Sequence, residues 1–385
     1  MFIHSHLLSL LAFWPMFLFW ACLPWIAPAD PCKMKITFGG YARSETLTNF
    51  PALVVFGTNT MADNFDYSQF ASPNGWDLRF SNAVQTAGLN YEIARWTTNG
   101  NSSVWVQVPL LARNASIWAY WGNTNLACAP AACITDGSTW SNGFVGVWHM
   151  HQTNARDSTA FQNHGSSSGA VSSAEGFVDG ADRFVPNSRG VHVPYSGSLD
   201  LTNAGTVEAW VYVNGCTNED ATNAGLVHKG DSGDVVNHNA FVDETYSLQL
   251  WQGNAFLFAL QGGDGWLQTD VVVTGQWYHV VGSWDLSTMW MCLNGTMQAP
   301  YAYAGGTFTS TGGLNLGCQV MSPSYWNSLY NCLDGMLDEV RVSAVTRSPN
   351  WLWATWMNIA SNDAFATYGP VTAPGEMGTV ILFLR

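Results

Sequence analysis

The stretch GMLDEVRVS, residues 335–343, alternates apolar and polar side chains in the manner of a β-strand. Because successive side chains of a strand point to opposite faces, Asp338 shares a face with Val340 and Val342. If the two valines face a hydrophobic core, the carboxylate of Asp338 faces it as well. A buried carboxylate needs a compensating partner, so this strand favours a β fold and also raises the question of what Asp338 binds.

The composition of the whole chain favours the same fold class. Its 385 residues include 20 Trp and 37 Gly, and only 10% of them are charged. Aromatic residues and glycines in such numbers suit twisted sheets joined by tight turns. The net charge of -14 argues against a nucleic-acid partner, because phosphate backbones are bound by basic patches.

Strand-like segments divide the chain into two units. Residues 30–127 contain MKITFGGY, FPALVVF, SVWVQVPLL and SIWAYWG between clusters of turn residues, which predicts a small β-sandwich. Residues 128–142 are predicted to be a linker. Residues 143–370 contain strands such as GTVEAWVYV and QWYHVVGSWD and one helical segment, PNWLWATWMNIAS, which predicts a two-sheet jelly roll with a short helix. Residues 371–385 form a tail. The predicted fold class is therefore all-β.

The amino-terminal residues have the features of a secretory leader. Residues 7–26 are almost wholly apolar, and Ala27, Pro28 and Ala29 form a small-x-small cleavage pattern. We therefore expect residues 1–29 to be a signal peptide and the mature protein to be secreted or on the cell surface. No other segment stays apolar for the roughly 18 residues that a membrane-spanning helix needs, so we expect no membrane span after signal removal.

The cysteines are consistent with export, because oxidising compartments favour disulfides. Cys128 and Cys133 flank a short Ala/Pro segment, and Cys318 and Cys332 bracket a segment rich in Ser, Pro and Asn. We predict that each of these two pairs forms a disulfide. Removal of the leader leaves seven cysteines, so at least one thiol stays free or pairs between chains.

A series of motifs in the second unit resembles a known family. GVWHM, DSTAFQNHG, GTVEAWV, LVHKG, QWYHVVGSWD and LDGMLDEVRVS occur in the order typical of a LamG-like jelly roll of the concanavalin A-like lectin/glucanase superfamily. The first unit, with GYARSETLTNFPALVVF, DLRFSNA and IWAYWGN, resembles a bacterial domain of unknown function that often precedes LamG-like modules in exported proteins. The resemblance implies a bacterial surface protein, and it does not identify a ligand.

The sequence lacks the carboxylate spacing typical of glycosidases. Hydrolases with this fold carry acidic residues two apart on one strand, whereas Asp334 and Asp338 are four apart, or about 13 Å along an extended strand. That separation exceeds the roughly 5–9.5 Å between glycosidase carboxylates. His149 and His151 form an H-x-H pair that could begin a zinc site, but no third ligand is identifiable. We therefore expect a protein that is not an enzyme.

Three kinds of partner could compensate Asp338. The first is hydrogen bonding to backbone or side-chain groups, and the second is a salt bridge to an arginine, with Arg156, Arg183 and Arg189 as candidates. The third is calcium, which takes oxygen ligands such as those of the loop RDSTAFQNHG. The resemblance implies that one calcium is often held and that the first strand of the jelly roll lies beside the last. The calcium hypothesis therefore assigns a structural ion to Asp157, Asn163 and Asp338.

Aromatic residues in loop-like segments are candidates for stacking on sugars. They are Trp266 in GGDGWLQ and Tyr325 and Trp326 in SPSYWNS. We expect a binding protein that recognises carbohydrate or a cell-surface ligand. The alternatives are a structural or adhesive surface protein that binds other proteins, and an accessory subunit of a glycoside hydrolase or polysaccharide lyase.

Overall fold

The structure, a computed structural model, describes residues 32–57, 64–151, 155–167, 169–173, 175–186, 190–215, 223–230, 244–260, 265–304, 307, 309–319 and 331–372. The predicted signal peptide lies outside the described residues. The strands form four sheets, two small and two large, and every pairing between named strands is antiparallel. The all-β prediction is confirmed. In this described part of the chain, no helix has the length and apolar character needed to cross a membrane.

The first unit is a sandwich of two small sheets. Its strands are β1 (Cys32–Thr37), β2 (Leu47–Phe56), β3 (Arg79–Asn82), β4 (Tyr91–Arg95), β5 (Ser102–Leu111) and β6 (Ser116–Trp121). β2, β5 and β4 form one sheet, while β1, β6 and β3 lie side by side in the other. Alternating apolar residues bury large rings between the two sheets, including Phe56, Phe80 and Trp121.

The second unit is a two-sheet jelly roll. Its strands are β7 (Phe144–Trp148), β8 (Ser166–Ser167), β9 (Val171–Ser173), β10 (Ala181–Phe184), β11 (Val191–Val193), β12 (Gly205–Gly215), β13 (Ala224–Gly230), β14 (Glu244–Trp251), β15 (Ala255–Leu260), β16 (Gly265–Gln268), β17 (Trp277–Trp284), β18 (Thr288–Leu293), β19 (Thr296–Met297), β20 (Tyr301–Ala302), β21 (Leu314–Leu316) and β22 (Asp334–Ser343). One sheet has the order β19-β18-β17-β12-β22-β10-β9, with β20 on β18 and β7 on β22. The other has seven strands in the order β16-β15-β14-β13-β21-β11-β8. Their inner faces enclose a second core that contains Val207, Leu248 and Phe258.

Single-turn 3₁₀ segments occupy several of the connections. They span Tyr67–Gln69, Thr124–Leu126, Ala132–Ile134, Ser138–Trp140 and Gly197–Leu199. The segments Ala132–Ile134 and Ser138–Trp140 lie in the predicted linker. Trp140 is nevertheless fully buried in the core of the first unit. The segment 128–142 is therefore not wholly a solvated linker. Burying the large apolar surface of the Trp140 indole packs the end of this segment against the first unit.

The carboxyl end of the second unit returns to the first. The predicted helix is present as α1 (Pro349–Ala360), capped by the Ser348 hydroxyl, and is followed by α2 (Asn362–Phe365) and β23 (Thr367–Tyr368). Asn358 of α1 accepts a hydrogen bond from the Leu53 amide of β2, and β23 pairs with β1. The predicted boundary at residue 370 thus differs from the structure, in which the segment from α1 onward completes the first sandwich.

The two units share one core. Trp210, Val281 and Cys292, from the outer face of the large sheet that contains β22, pack in the same cluster as Trp105 and Trp140. The first unit therefore covers this outer face, and strand residues on both faces of the sheet are buried.

A β-bulge in β22 reverses which side chains face the jelly-roll core. Trp210 of β12 pairs with Asp338, whereas Glu208 pairs with Arg341, so β22 carries one extra residue between the two pairs. Glu339 accommodates this extra residue with a positive φ of 48°. The strict alternation expected from the sequence therefore holds only on either side of residue 339.

The bulge corrects the predicted face of Asp338. Leu337, before the bulge, and Val340 and Val342, after it, all face the jelly-roll core. Asp338 lies directly opposite Trp210, which belongs to the shared core, so its carboxylate faces the first unit. The side chain is completely buried, as expected, but on the opposite face from the one the alternation predicts.

Candidate functional site

A row of residues crosses the outer face of the seven-stranded sheet at one level. Ser247 of β14 and Ala259 of β15 lie in this row, while their neighbours Leu248 and Phe258 point into the core. Strand pairing extends the row over six strands, and its members in spatial order are His192, Asn315, His228, Ser247, Ala259 and Trp266. Five interstrand steps of about 4.8 Å make the row about 24 Å wide.

The row is polar and internally hydrogen-bonded. His192 Nδ1 lies 3.0 Å from Asn315 Oδ1, and Gln249, one strand position beyond the row, donates to the Ser247 hydroxyl over 2.8 Å. Asn315, His228 and Ser247 are buried, while His192 is half-buried. The accessible part of this face therefore lies toward its ends.

Trp266 forms one exposed end of the row. β16 is the edge strand of the sheet, and its alternation turns Leu267 toward the core and Trp266 outward with 53% of the residue exposed. Gly265 is needed beside it, because a Cβ there would lie 2.5 Å from the ring of Tyr303. The neighbour of Trp266 in register is Ala259, so the exposed indole offers an apolar face on which a ligand can stack. Its role in binding stays a prediction, and Tyr325 and Trp326 lie outside the described residues.

Asp157 and Asn163 belong to one hydrogen-bond network at the start of the jelly roll. The Asp157 carboxylate accepts from the backbone amides of Val147 and Thr159 over 2.9 Å, from the Asn163 amide over 2.7 Å, and from the Thr159 hydroxyl. Asn163 in turn donates its side-chain amide to the Val145 carbonyl over 2.7 Å. Both carboxylate oxygens therefore face N–H and O–H donors, which is the arrangement of an anchored loop.

Asp338 belongs to a different network. Its Oδ2 accepts hydrogen bonds from the backbone amides of Phe177 and Val178, each over 2.7 Å. Its Oδ1 has no hydrogen-bond partner in the described part of the chain. Burial, together with the negative charge of Glu339, raises the pKa of Asp338 well above its ordinary value. Of the three kinds of partner considered, backbone hydrogen bonding is the one that the geometry shows.

These contacts do not fit the calcium set inferred from the sequence. Asp157 and Asn163 are held together, but Asp338 takes its donors from the segment around Phe177 instead. A metal ligand must present a lone pair to the ion, and the Asp157 oxygens already accept four hydrogen bonds from protein groups. Among the residues that the structure describes, no cluster of three His, Cys, Asp or Glu side chains could hold a metal.

His149 lies in a buried ionic network that the sequence did not reveal. Its Nδ1 is 2.7 Å from Glu339 Oε1, and its Nε2 is 3.5 Å from Glu92 Oε2 of the first unit. Burial alone would lower the pKa of His149, but Glu339 and Glu92 raise it well above its ordinary value. Arg341 continues the network with a 2.7 Å contact to Glu339 Oε2. His149 is therefore an ionic partner across the junction of the two units.

No local pattern identifies this network. Glu92 and His149 are far apart in sequence, and Glu339 reaches His149 only because the bulge turns it toward the first unit. Arg341 also lies over the rings of Trp105 and Trp140, at 4.4 and 5.0 Å from their centroids. The one sequence signal of this network is that Glu339 and Arg341 lie two apart on one strand, with Val340 between them.

One of the two predicted disulfides is formed in the structure. Cys318, just after β21, is bonded to Cys332, just before β22. Cys128 is exposed and Cys133 half-buried, and the two are not bonded to each other. The prediction for this second pair therefore differs from the structure. Cys133 lies in a 3₁₀ turn packed on the first unit, which places its side chain by packing instead of by a bridge to Cys128.

Two family models match separate parts of the chain. Residues 186–352 match the family model described as the concanavalin A-like lectin/glucanases superfamily, and residues 74–133 match a domain of unknown function (DUF2341). Both predicted resemblances are thereby confirmed. No curated protein matches the chain.

Two solved structures overlap part of the chain at low sequence identity and low TM-score. Domain 4 of a GH43 extracellular arabinanase from Geobacillus stearothermophilus, in complex with arabinotriose, is 18% identical, with 55% of this chain and 96% of that chain covered and a TM-score of 0.41. The binding domain of botulinum neurotoxin DC, in complex with rat synaptotagmin II, is 10% identical, with 56% and 52% covered and a TM-score of 0.42. The chain thus spans about half the length of the toxin domain that it matches.

Proposed function

We propose that the protein is an exported, non-enzymatic carbohydrate-binding protein, on the premise that residues 186–352 match the model of the concanavalin A-like lectin/glucanases superfamily. The ligand is a glycan that contacts the outer face of the seven-stranded sheet at the end formed by β16. Export from the cell rests on the apolar leader and the cleavage pattern at Ala27, Pro28 and Ala29. Amino-terminal sequencing of the mature protein tests it, with Asp30 as the expected first residue.

The observation that carries this proposal is the position of Trp266. Its exposed indole ends the row next to Ala259, and the half-buried His192 lies at the opposite end of the same face. A sugar presents apolar C–H faces that can stack on an exposed aromatic ring, which is the contact that Trp266 offers.

The chemistry of the row supports binding without catalysis. Glycoside hydrolysis requires two carboxyl groups on either side of the scissile bond. None of the six residues in the row is an acid. Two acids of β22 are committed elsewhere, since Glu339 pairs with His149 and Arg341, and Asp338 accepts from backbone amides.

A glycan array tests the proposal with three proteins. We expect the wild type to bind a defined set of glycans and Trp266→Ala to lose most of this binding. Phe161→Ala is the matched control, because Phe161 is 54% exposed in the loop near Asp157, away from β16. Equal binding by wild type and Trp266→Ala would contradict the assignment of the site. Release of reducing sugar from a bound glycan would contradict the non-enzymatic assignment, and binding only to proteins would favour an adhesive role.

A further inference from the structure

A cavity lies where the two units meet. It has a volume of about 730 Å³ and is bounded by the first unit, by residues 359–368, and by the segment 177–179 of the jelly roll. Small-molecule sites have volumes of roughly 300–1,000 Å³ and occur preferentially at domain interfaces. This junction cleft is separate from the row that ends at Trp266, with which it shares no residue.

The segment 177–179, which forms the jelly-roll wall of the junction cleft, is held in place by residues of β22 and β12. Asp338 accepts the backbone amides of Phe177 and Val178, and the ring of Phe177 stacks on Trp210 with centroids 4.2 Å apart. From the other unit, Arg95 donates to the carbonyl of Asp179 over 3.2 Å. The carboxylate that faces out of β22 therefore fixes this wall, and a preorganised wall lowers the entropy lost when a ligand binds.

Asp179 lines the junction cleft in an unfavourable backbone conformation and with one carboxylate oxygen unpaired. Its φ is +78°, a left-handed conformation that side chains other than glycine seldom adopt. Its Oδ2 is buried and has no hydrogen-bond partner among the residues that the structure describes. Burial raises the pKa of Asp179 to about 7, against the lowering effect of a hydrogen bond from Ser103. A strained residue with a spare buried oxygen suits a ligand that supplies a hydrogen bond.

We propose that the junction cleft is a second, independent site that binds one or two uncharged sugar residues. The class of ligand rests on the proposed function of the protein. Phe177, which is 37% exposed, offers an aromatic surface in the cleft wall, and Asp179 and Asn101 offer an acid and an amide to ligand hydroxyls.

The charges of the lining favour a neutral ligand. The acids Asp179 and Asp363 face the cleft together with the cation Arg95. Because burial raises the pKa of Asp179 to about 7, this acid is partly protonated near neutral pH, and the charges of Asp363 and Arg95 nearly cancel. Hydroxyl groups can donate to Asp179 and accept from Asn101 and Arg95 without a desolvated charge of their own.

The experiment isolates the junction cleft by working in a Trp266→Ala background. Saturation-transfer NMR on the full chain uses glucose, galactose, arabinose, N-acetylglucosamine and cellobiose as uncharged probes, with galacturonate and glucosamine as charged probes. We expect at least one uncharged probe to bind, and we expect Asp179→Asn or Asn101→Ala to weaken that binding at least tenfold. Asn tolerates the left-handed backbone at position 179, and Asn101 is exposed, so neither change should unfold the protein. Asn125→Ala, at an exposed asparagine of the first unit, is the matched control and should bind normally.

The outcomes separate this proposal from the proposed function. Binding that Trp266→Ala abolishes completely would overturn the junction cleft while supporting the site on β16. Binding that survives Trp266→Ala and is lost with Asn101→Ala would support the cleft. Preference for either charged probe, or equal binding by the Asp179→Asn, Asn101→Ala and Trp266→Ala proteins, would overturn the cleft proposal. Absence of binding by every probe to the wild type would overturn both.

Discussion

Asp182 gives a sharp test of the electrostatics of the jelly-roll core. It lies on β10 opposite Leu337, whose side chain faces the core, and it is completely buried. Neither of its carboxylate oxygens has a hydrogen-bond partner in the described part of the chain. Burial alone raises the pKa of Asp182 from 3.8 to about 7. The folded protein therefore holds this proton over a pH range in which the unfolded chain releases it.

The sign and size of the effect follow from proton linkage. Below the unfolded pKa both states are protonated, and the contribution to stability is fully present. As the pH rises toward the folded pKa of about 7, only the unfolded state ionises, so stability is lost. The slope is about 1.36 kcal/mol per pH unit while only the unfolded state is ionised and halves at the folded pKa, so the loss between pH 5 and pH 7 is about 2.3 kcal/mol.

Asp182→Asn removes this titration and keeps the size of the side chain. Urea unfolding at pH 5 and pH 7 should show that the wild type loses about 2.3 kcal/mol more than the variant over this interval. The difference between the two pH values is the informative quantity, because any cost of the buried amide is the same at both. Asp270→Asn, at an exposed position, serves as the control and should follow the wild type. Parallel curves for the wild type and Asp182→Asn would refute the argument.

The ionic network and the calcium hypothesis give two further predictions. Glu339→Gln should lower the free energy of unfolding by about 3–5 kcal/mol at pH 7, since it leaves His149 and Arg341 buried without their shared carboxylate. Urea titration beside the exposed-site variant Glu175→Gln measures this, and a loss under about 1 kcal/mol would show that the network contributes little. Thermal unfolding in chelator and in millimolar calcium should give the same midpoint, because the oxygens of Asp157 already accept protein donors. A calcium-dependent rise in the midpoint, which a hundredfold excess over Kd would make equivalent to about 2.7 kcal/mol, would restore the calcium hypothesis.

Local sequence patterns predicted the local elements well. Apolar alternation located strands such as β12 and β17, and the helical pattern of PNWLWATWMNIAS located α1. The pairing of Cys318 with Cys332 was also predictable, because the two cysteines flank the one segment that connects β21 and β22, which are consecutive in the chain. Each of these features depends on residues that are close together in the sequence, so the sequence pattern alone was enough to predict it.

The features that were missed depend on register between distant strands. The bulge at Glu339 changes which side of β22 each residue occupies, and nothing in the sequence around it marks a left-handed residue. The row that ends at Trp266 is assembled from six strands whose alignment only the folded sheets define. The burial of Asp338 was predicted for the wrong reason, since its outer face is covered by a unit that packs on it from elsewhere in the chain.

The pairing of β1 with β23 has a consequence for the order in which a growing chain can fold. A ribosome releases the residues of β1 first and those of β23 more than 300 residues later, so the sheet edge that Thr367 and Tyr368 cover stays open during most of synthesis. The face of β2 that receives α1 is uncovered for the same period. An open strand edge beside apolar surface is a template for pairing with other chains. The nascent first unit therefore exposes this edge until the carboxyl-terminal segment arrives, and a truncation before residue 349 should yield aggregate instead of a separate soluble sandwich.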